Sequence, residues 1–290
     1  MKKSTLIFLM TIASSIGLCQ TGKIITVDNA DEFVDAIGPD RTIQLKGSTL
    51  YLSNVASTKR NTYFQFAEIW EGEHELVITG VANMKIIGLG DKPVEINARP
   101  EEGDVISFLN CSNIVVENID AGHGPTKGGC DGGVFNFTNC KNITIDKSIM
   151  YGSGTFGISA KDVVNLNCKN SIIRGCSRSI IYLENCNNSE FSNCDLTENE
   201  TEYGNLINIE NCSGIKFNNC DITRNITRLS GEDEWSQYSL FDISKSMNIS
   251  LVDCMIKNNS CDYLSNRPNT FEMSNTKMEN NIFNLGNFKE

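Results

Sequence analysis

LENCNNSEFSNCDL, residues 183–196, is followed 26 residues later by IENCSGIKFNNCDI, residues 209–222. Each segment joins a short alternating apolar strand to an Asn-Cys turn and then to a second strand of the same kind. Three more segments carry the pattern: FLNCSNIVVENI (108–119), FTNCKNITIDKSI (137–149) and ISKSMNISLVDCMI (243–256). Period-two alternation with Val, Ile, Phe and Thr excludes a repeat of helix pairs, whose apolar residues would recur every three to four positions. A recurring unit of short strands that cannot bury its own apolar face predicts a solenoid, in which each turn covers the next.

Stacked on one another, the segments form columns. One holds Asn110, Asn139, Asn185, Asn211 and Asn266, with Lys245 departing; the next holds Cys111, Cys140, Cys186 and Cys212, and a later one Cys194, Cys220, Cys254 and Thr276. Parallel strands in register lie about 4.8 Å apart, so an inward Asn can bond the Asn above and below, and small Cys side chains can pack as hydrophobes. Parallel Cβ vectors oppose disulfides between such neighbours, so the column cysteines are expected reduced. A last column, Gly122, Gly152, Gly175, Asn199, Asn225, Asn259 and Asn281, contains only the two residue types that best tolerate the left-handed backbone region, and predicts one recurrent corner.

The N-terminus reads as a secretory leader over residues 1–19: Lys2 and Lys3, an apolar run from Leu6 to Ile12, then small residues up to Cys19. Acylation of Cys19 is disfavoured by the bulky Leu18 before it. No later run is apolar for long enough to cross a membrane. Residues 20–46 form the expected cap, a strand KIITV, a helix NADEFVDAIG with Asn29 or Asp31 as N-cap and Gly38 as stop, and a strand RTIQLKG. Residues 47–290 are the solenoid. Losing the leader removes two lysines and no acid, taking the formal charge from −11 to −13. Such a surface excludes nucleic acid as a partner and makes neutral ligands electrostatically easier than polyanions.

The columns resemble those of the pectate-lyase-like superfamily, which implies an all-β, right-handed single-stranded parallel β-helix of about eight coils with a short N-terminal capping α-helix. The stretch AGHGPTKGGCDGGVFNFTNC (121–140) with YGSGTFGI (151–158) also resembles exported bacterial β-helix repeat proteins of unassigned activity, implying location outside the cytoplasm: secreted, periplasmic or at the cell surface. Signature motifs of the superfamily's enzymes are missing: there is no Asn-Thr-Asp, no Asp-Asp pair with a later Arg-Ile-Lys, and no Arg-x-Pro-x-x-Arg.

Insertions follow the Gly/Asn corner, at 123–132, 176–179, 200–204 and 226–238, and so build a rim on one side. The catalytic candidates are His123, Lys127, Asp131, Arg174, Arg178 and Glu198; the substrate-binding candidates are Tyr151, Glu200, Glu202, Tyr203, Arg228 and Trp235. Paired carboxylates would serve hydrolysis, while Lys127 with Arg174 and Arg178 would serve β-elimination. Tyr and Trp offer faces for a sugar's C–H surface. His123, Cys130 and Asp131 lack the spacing of a metal site, and calcium is the one cofactor that the acid-rich 231–234 loop would suit. Arg174, Glu198 and Arg224 are expected in one outward column as a charge ladder. The leading expectation is recognition, with cleavage, of a polysaccharide or cell-surface glycan along the rim. The competing one is a non-catalytic surface scaffold or adhesion module, because fold alone assigns no chemistry.

Overall fold

The structure is a computed structural model that describes residues 22–47, 49–99, 102–124, 132–152, 155–201, 203–227, 237–267 and 271–288. Three parallel sheets run the length of a β-solenoid. Sheet A has ten strands, from Lys23–Val27 to Phe271–Ser274; sheet B has nine, from Thr49–Tyr51 to Lys277–Glu279; sheet C is a 12-stranded sheet that includes Phe135–Thr138, Ser179–Glu184 and Ile207–Glu210. From Glu73–Thr79 onward the chain visits the sheets in the fixed order C, A, B. The register is uniform, so like residues stack: Phe108 pairs with Phe137 and Phe191 with Phe217. Both pairs of rings lie parallel with centroids 5.0 Å apart. Each buried ring contributes on the order of 1.5–3 kcal/mol, and Phe217 meets Phe241 edge-on across the core, while Phe241 in turn packs against Phe271.

At the corner from sheet C to sheet A, Asn110, Asn139, Asp162, Asn185, Asn211 and Lys245 all adopt positive φ, between 49° and 55°. Their side chains lie outside the barrel, where Asn139 Nδ2 donates to Asn110 Oδ1 (2.5 Å) and Asn211 Nδ2 to Asn185 Oδ1 (2.6 Å). The inward ladder expected of this column is therefore an outward one, and Asn266 stands apart from it, bonded to Asp242 and to the Ile243 amide. The residue after each corner faces in. Cys111 and Cys186 donate backbone N–H groups to Cys140 Sγ (3.4 Å) and Cys212 Sγ (3.2 Å). All ten described cysteines are buried, and no two of them are joined by a disulfide.

The corner from sheet B to sheet C corrects a second column. Gly152, Gly175, Glu198, Arg224, Asn258 and Asn280 take the left-handed conformation, whereas Asn199, Asn225, Asn259 and Asn281 lie one residue later. Gly122 is in neither set; it sits inside a strand, paired with Tyr151. The inward amide ladder is here: Asn199 Nδ2 donates to Asn225 Oδ1 (2.9 Å), Asn225 to Asn259 and Asn259 to Asn281 (both 3.0 Å). Winding survives the one-residue offset because register is set by the paired strands. The insertions at 176–179, 200–204 and 226–238 each follow a sheet B strand, and two of them open with short strands of sheet C, Glu200–Thr201 and Ile226–Thr227, which pair with each other.

The helix spans Ala30–Ala36, capped by Asn29, whose Oδ1 accepts from the Glu32 N–H, while the Glu32 carboxylate accepts from the Asp28 N–H. Phe33, Val34 and Ile37 are buried and close the N-terminal end of the core. Arg41 donates to the helix-end carbonyl of Ala36 (3.0 Å). An antiparallel hairpin, Phe64–Trp70 with Glu73–Thr79, forms the edge of sheet C.

Candidate functional site

Strand alternation on sheet B turns Ile96, Ala121, Met150 and Ile173 into the core and leaves two outward columns. In one, Thr49, Glu95 and Asp120 are in register; in the other, Tyr51, Asn97, Gly122, Tyr151 and Arg174. Gly122 interrupts the second column. A Cβ there would lie 1.9 Å from the Tyr151 carbonyl oxygen, so the strands approach too closely for any other residue. The missing side chain opens a groove of about 340 Å³ lined by Tyr51, Glu95, Asn97, Arg99, Asp120, His123 and Tyr151, at the small end of the range for ligand sites. Arg174 lies against the Tyr151 ring, its guanidinium carbon 4.5 Å from the centroid.

Asp120 is the unusual group. It is partly buried and makes no hydrogen bond among the described residues. Burial raises its pKa, the Arg174 charge pulls it back, and the Glu95 charge raises it further. Glu95 is held instead by the Thr49 hydroxyl, which donates to its Oε2 at 2.7 Å. A second acidic pair, Glu75 and Asp104, is committed to structure: Glu75 Oε2 accepts from the Asp104 N–H, and Asp104 Oδ1 from the Gly133 N–H.

The candidates read from the rim separate into four places. Tyr151 and His123 line the groove, with Arg174 stacked on the Tyr151 ring. His123 ends the strand Ile119–His123 in register with buried Ala98, is 4 % exposed, and approaches the Gly103 carbonyl with Nε2 at 2.8 Å. Burial lowers its pKa, and Nδ1 has no hydrogen-bond partner among the described residues. Arg178 and Tyr203 border a different cleft. Glu198 does not share a column with Arg174; it pairs with Arg224 (3.1 Å) at the corner, because Arg174 is in register with Tyr151, one residue before the left-handed position. Glu200 is exposed on the two-residue strand Glu200–Thr201. Lys127, Asp131, Glu202, Arg228 and Trp235 lie outside the described residues, as does the 231–234 loop. Among the described residues no three His, Cys, Asp or Glu side chains cluster as a metal site, and no helix is long and apolar enough to cross a membrane.

Glu95 and Asp120 escaped the sequence reading because a polar residue between apolar neighbours, as in VEINA and IDAGH, is ordinary strand alternation. Aligning Val94-Glu95-Ile96 on Ile119-Asp120-Ala121 would have stacked the two carboxylates.

No sequence family and no curated protein matches the chain. Solved structures do. Tailspike protein 2 of Escherichia coli O157:H7 bacteriophage CAB120 superposes with a TM-score of 0.55 at 10% identity, over 87% of this chain and 34% of its own. The chain thus spans about a third of the tailspike's length. Pectate lyase Pel9A gives 0.48 at 10% identity, covering 91% of this chain and 80% of that one. The pectin methylesterase of Aspergillus niger gives 0.47 at 9%, covering 93% and 90%. The shared architecture is the right-handed parallel β-helix.

Proposed function

We propose that this chain recognises a polysaccharide in the sheet B groove and cleaves it by acid–base hydrolysis. The observation that carries the reading is Asp120: a half-buried carboxyl with raised pKa and no hydrogen-bond partner among the described residues, one strand from a second, anchored carboxylate. Environments that separate two neighbouring acids divide their labour. Asp120 donates its proton to the glycosidic oxygen while Glu95 attacks the anomeric carbon; Asp120, now ionised, then takes a proton from the water that releases the sugar from Glu95. In-register strands about 4.8 Å apart suit the roughly 5–5.5 Å carboxyl separation of retaining hydrolysis. Tyr51 and Tyr151 offer stacking faces to the sugar. The leader-like order of residues 1–19 fits export toward such a polymer.

The test is a glycan panel, neutral and uronic, scored for new reducing ends with wild type, Asp120→Asn and Glu95→Gln. Hydrolysis expects product from wild type and a loss of at least about a hundredfold in each variant. Absence of product across the panel, or full turnover by Asp120→Asn, would overturn the reading; an unsaturated product would replace hydrolysis by elimination.

A further inference from the structure

On the sheet C side of the rim lies a second cavity, of about 350 Å³, with a composition unlike the groove's: aromatic walls, an amide floor, one cation in Arg178 and, among the described residues, no carboxylate. Phe156 and Tyr182 form one wall, with ring centroids 5.5 Å apart and planes tilted by 51°. Tyr203, 60 % exposed, stands on the intervening loop, where Gly204 takes φ +131°. The floor is fixed before any ligand arrives. Asn208 Nδ2 donates to Ser179 Oγ (2.9 Å) and to the Asn205 carbonyl (3.1 Å), and Asn205 Oδ1 accepts from the Ser239 N–H (2.7 Å). Exposed rings cost little entropy to use, and pinned amides present donors and acceptors at set positions.

The geometry points to a non-catalytic holding site for a neutral pyranose residue, stacked on the tyrosines and hydrogen-bonded at its edge by the Asn205 and Asn208 amides. Stacking needs only the ring's C–H face, and the described lining holds no acid. The site stands whether or not the groove cleaves anything.

The experiment uses the full chain in an Asp120→Asn background and titrates cellohexaose, xylohexaose, mannohexaose and hexagalacturonate by calorimetry. At least one neutral hexasaccharide should bind. Tyr203→Ala and Tyr182→Ala should each weaken it roughly tenfold, and Tyr182→Phe should not. Lys216→Ala, on a sheet A strand away from both cavities, should leave this binding unchanged. Failure of every neutral probe, persistence in both alanine variants, or loss in Lys216→Ala without loss of fold would overturn the site. So would binding of hexagalacturonate alone, abolished by Arg178→Ala. Melting temperatures of the variants separate lost binding from lost fold.

Discussion

Arg174 lies across the face of Tyr151, its guanidinium carbon 4.5 Å from the ring centroid, although the two residues belong to successive coils. The stack carries a positive charge toward the gap at Gly122 and so toward Asp120, whose pKa it lowers against the larger effect of burial. Arg174→Ala therefore raises the Asp120 pKa further. An acid catalyst works only while protonated, so the alkaline limb of any pH–rate profile should move to higher pH in Arg174→Ala. In a carboxyl NMR titration Glu95→Gln should move Asp120 the opposite way, because the Glu95 charge raises it.

The same shift makes Asp120 a stability cost. A carboxyl whose folded pKa exceeds its unfolded value, near 3.8, favours the fold only while protonated, and that contribution is lost as pH rises through the folded pKa. Asp120→Asn should therefore raise the melting temperature near pH 7 and change it little near pH 3, below both values. Equal stabilisation at both pH values would mean that the effect is not electrostatic.

The stacked columns were legible in the sequence because in-register parallel pairing places one residue type over itself. Phe108 on Phe137 and Cys111 beneath Cys140 repeat in sequence as they repeat in space. Which face each column takes was not legible. Asn serves both a left-handed corner, as at Asn211, and an interior amide ladder, as at Asn225, and at the B-to-C corner the two needs fall on adjacent positions. Glu198 and Arg224 hid the true corner, since neither residue type suggests positive φ. The sequence reading singled out Tyr151 and Arg174, which the structure brings into contact, but not Glu95 and Asp120 in the neighbouring column, because single outward acids in a strand carry no signature until the coils are aligned.

Those two corner residues give a stability test. Arg224 has φ +55° and is exposed, and its ion pair with Glu198 joins side chains that are 56 % and 57 % exposed. A β-carbon in the left-handed region costs roughly 1–2 kcal/mol, less for Asn, while an exposed ion pair returns about 0–1 kcal/mol. Arg224→Asn should hold or raise stability by up to about 1 kcal/mol in urea unfolding. A clear loss would show that the pair, and not the corner, governs this position.

Cys212 accepts the Cys186 amide through sulfur, and its own amide donates to Ser246 Oγ (2.8 Å), so sulfur and oxygen already alternate in one column. Cys212→Ser should cost no more than about 1 kcal/mol. Thiol reagents should leave the native cysteines nearly untouched, since all the described ones are buried, and burial pushes the Cys261 thiol up to about 12. Rapid labelling of several thiols without denaturant would contradict this packing.

Asn225 is the position where a single amide holds three coils together. Its Nδ2 donates to Leu196 O (2.8 Å) and Asn259 Oδ1 (3.0 Å), and its Oδ1 accepts from both the backbone and the side chain of Asn199. None of these groups reaches solvent, since Asn225 is 0 % exposed, so Asn225→Ala strands donors and acceptors in the core rather than returning them to water. At about 1–3 kcal/mol per unsatisfied group the loss should exceed about 3 kcal/mol in urea unfolding. Asn139→Ala, in the exposed outer ladder, removes a comparable amide contact where water can replace it and should cost about 1 kcal/mol or less. Because the Asn225 side chain is an interior tie and not a corner former, Asn225→Gly should be as damaging as Asn225→Ala. A glycine that restored stability would return the left-handed corner to this residue.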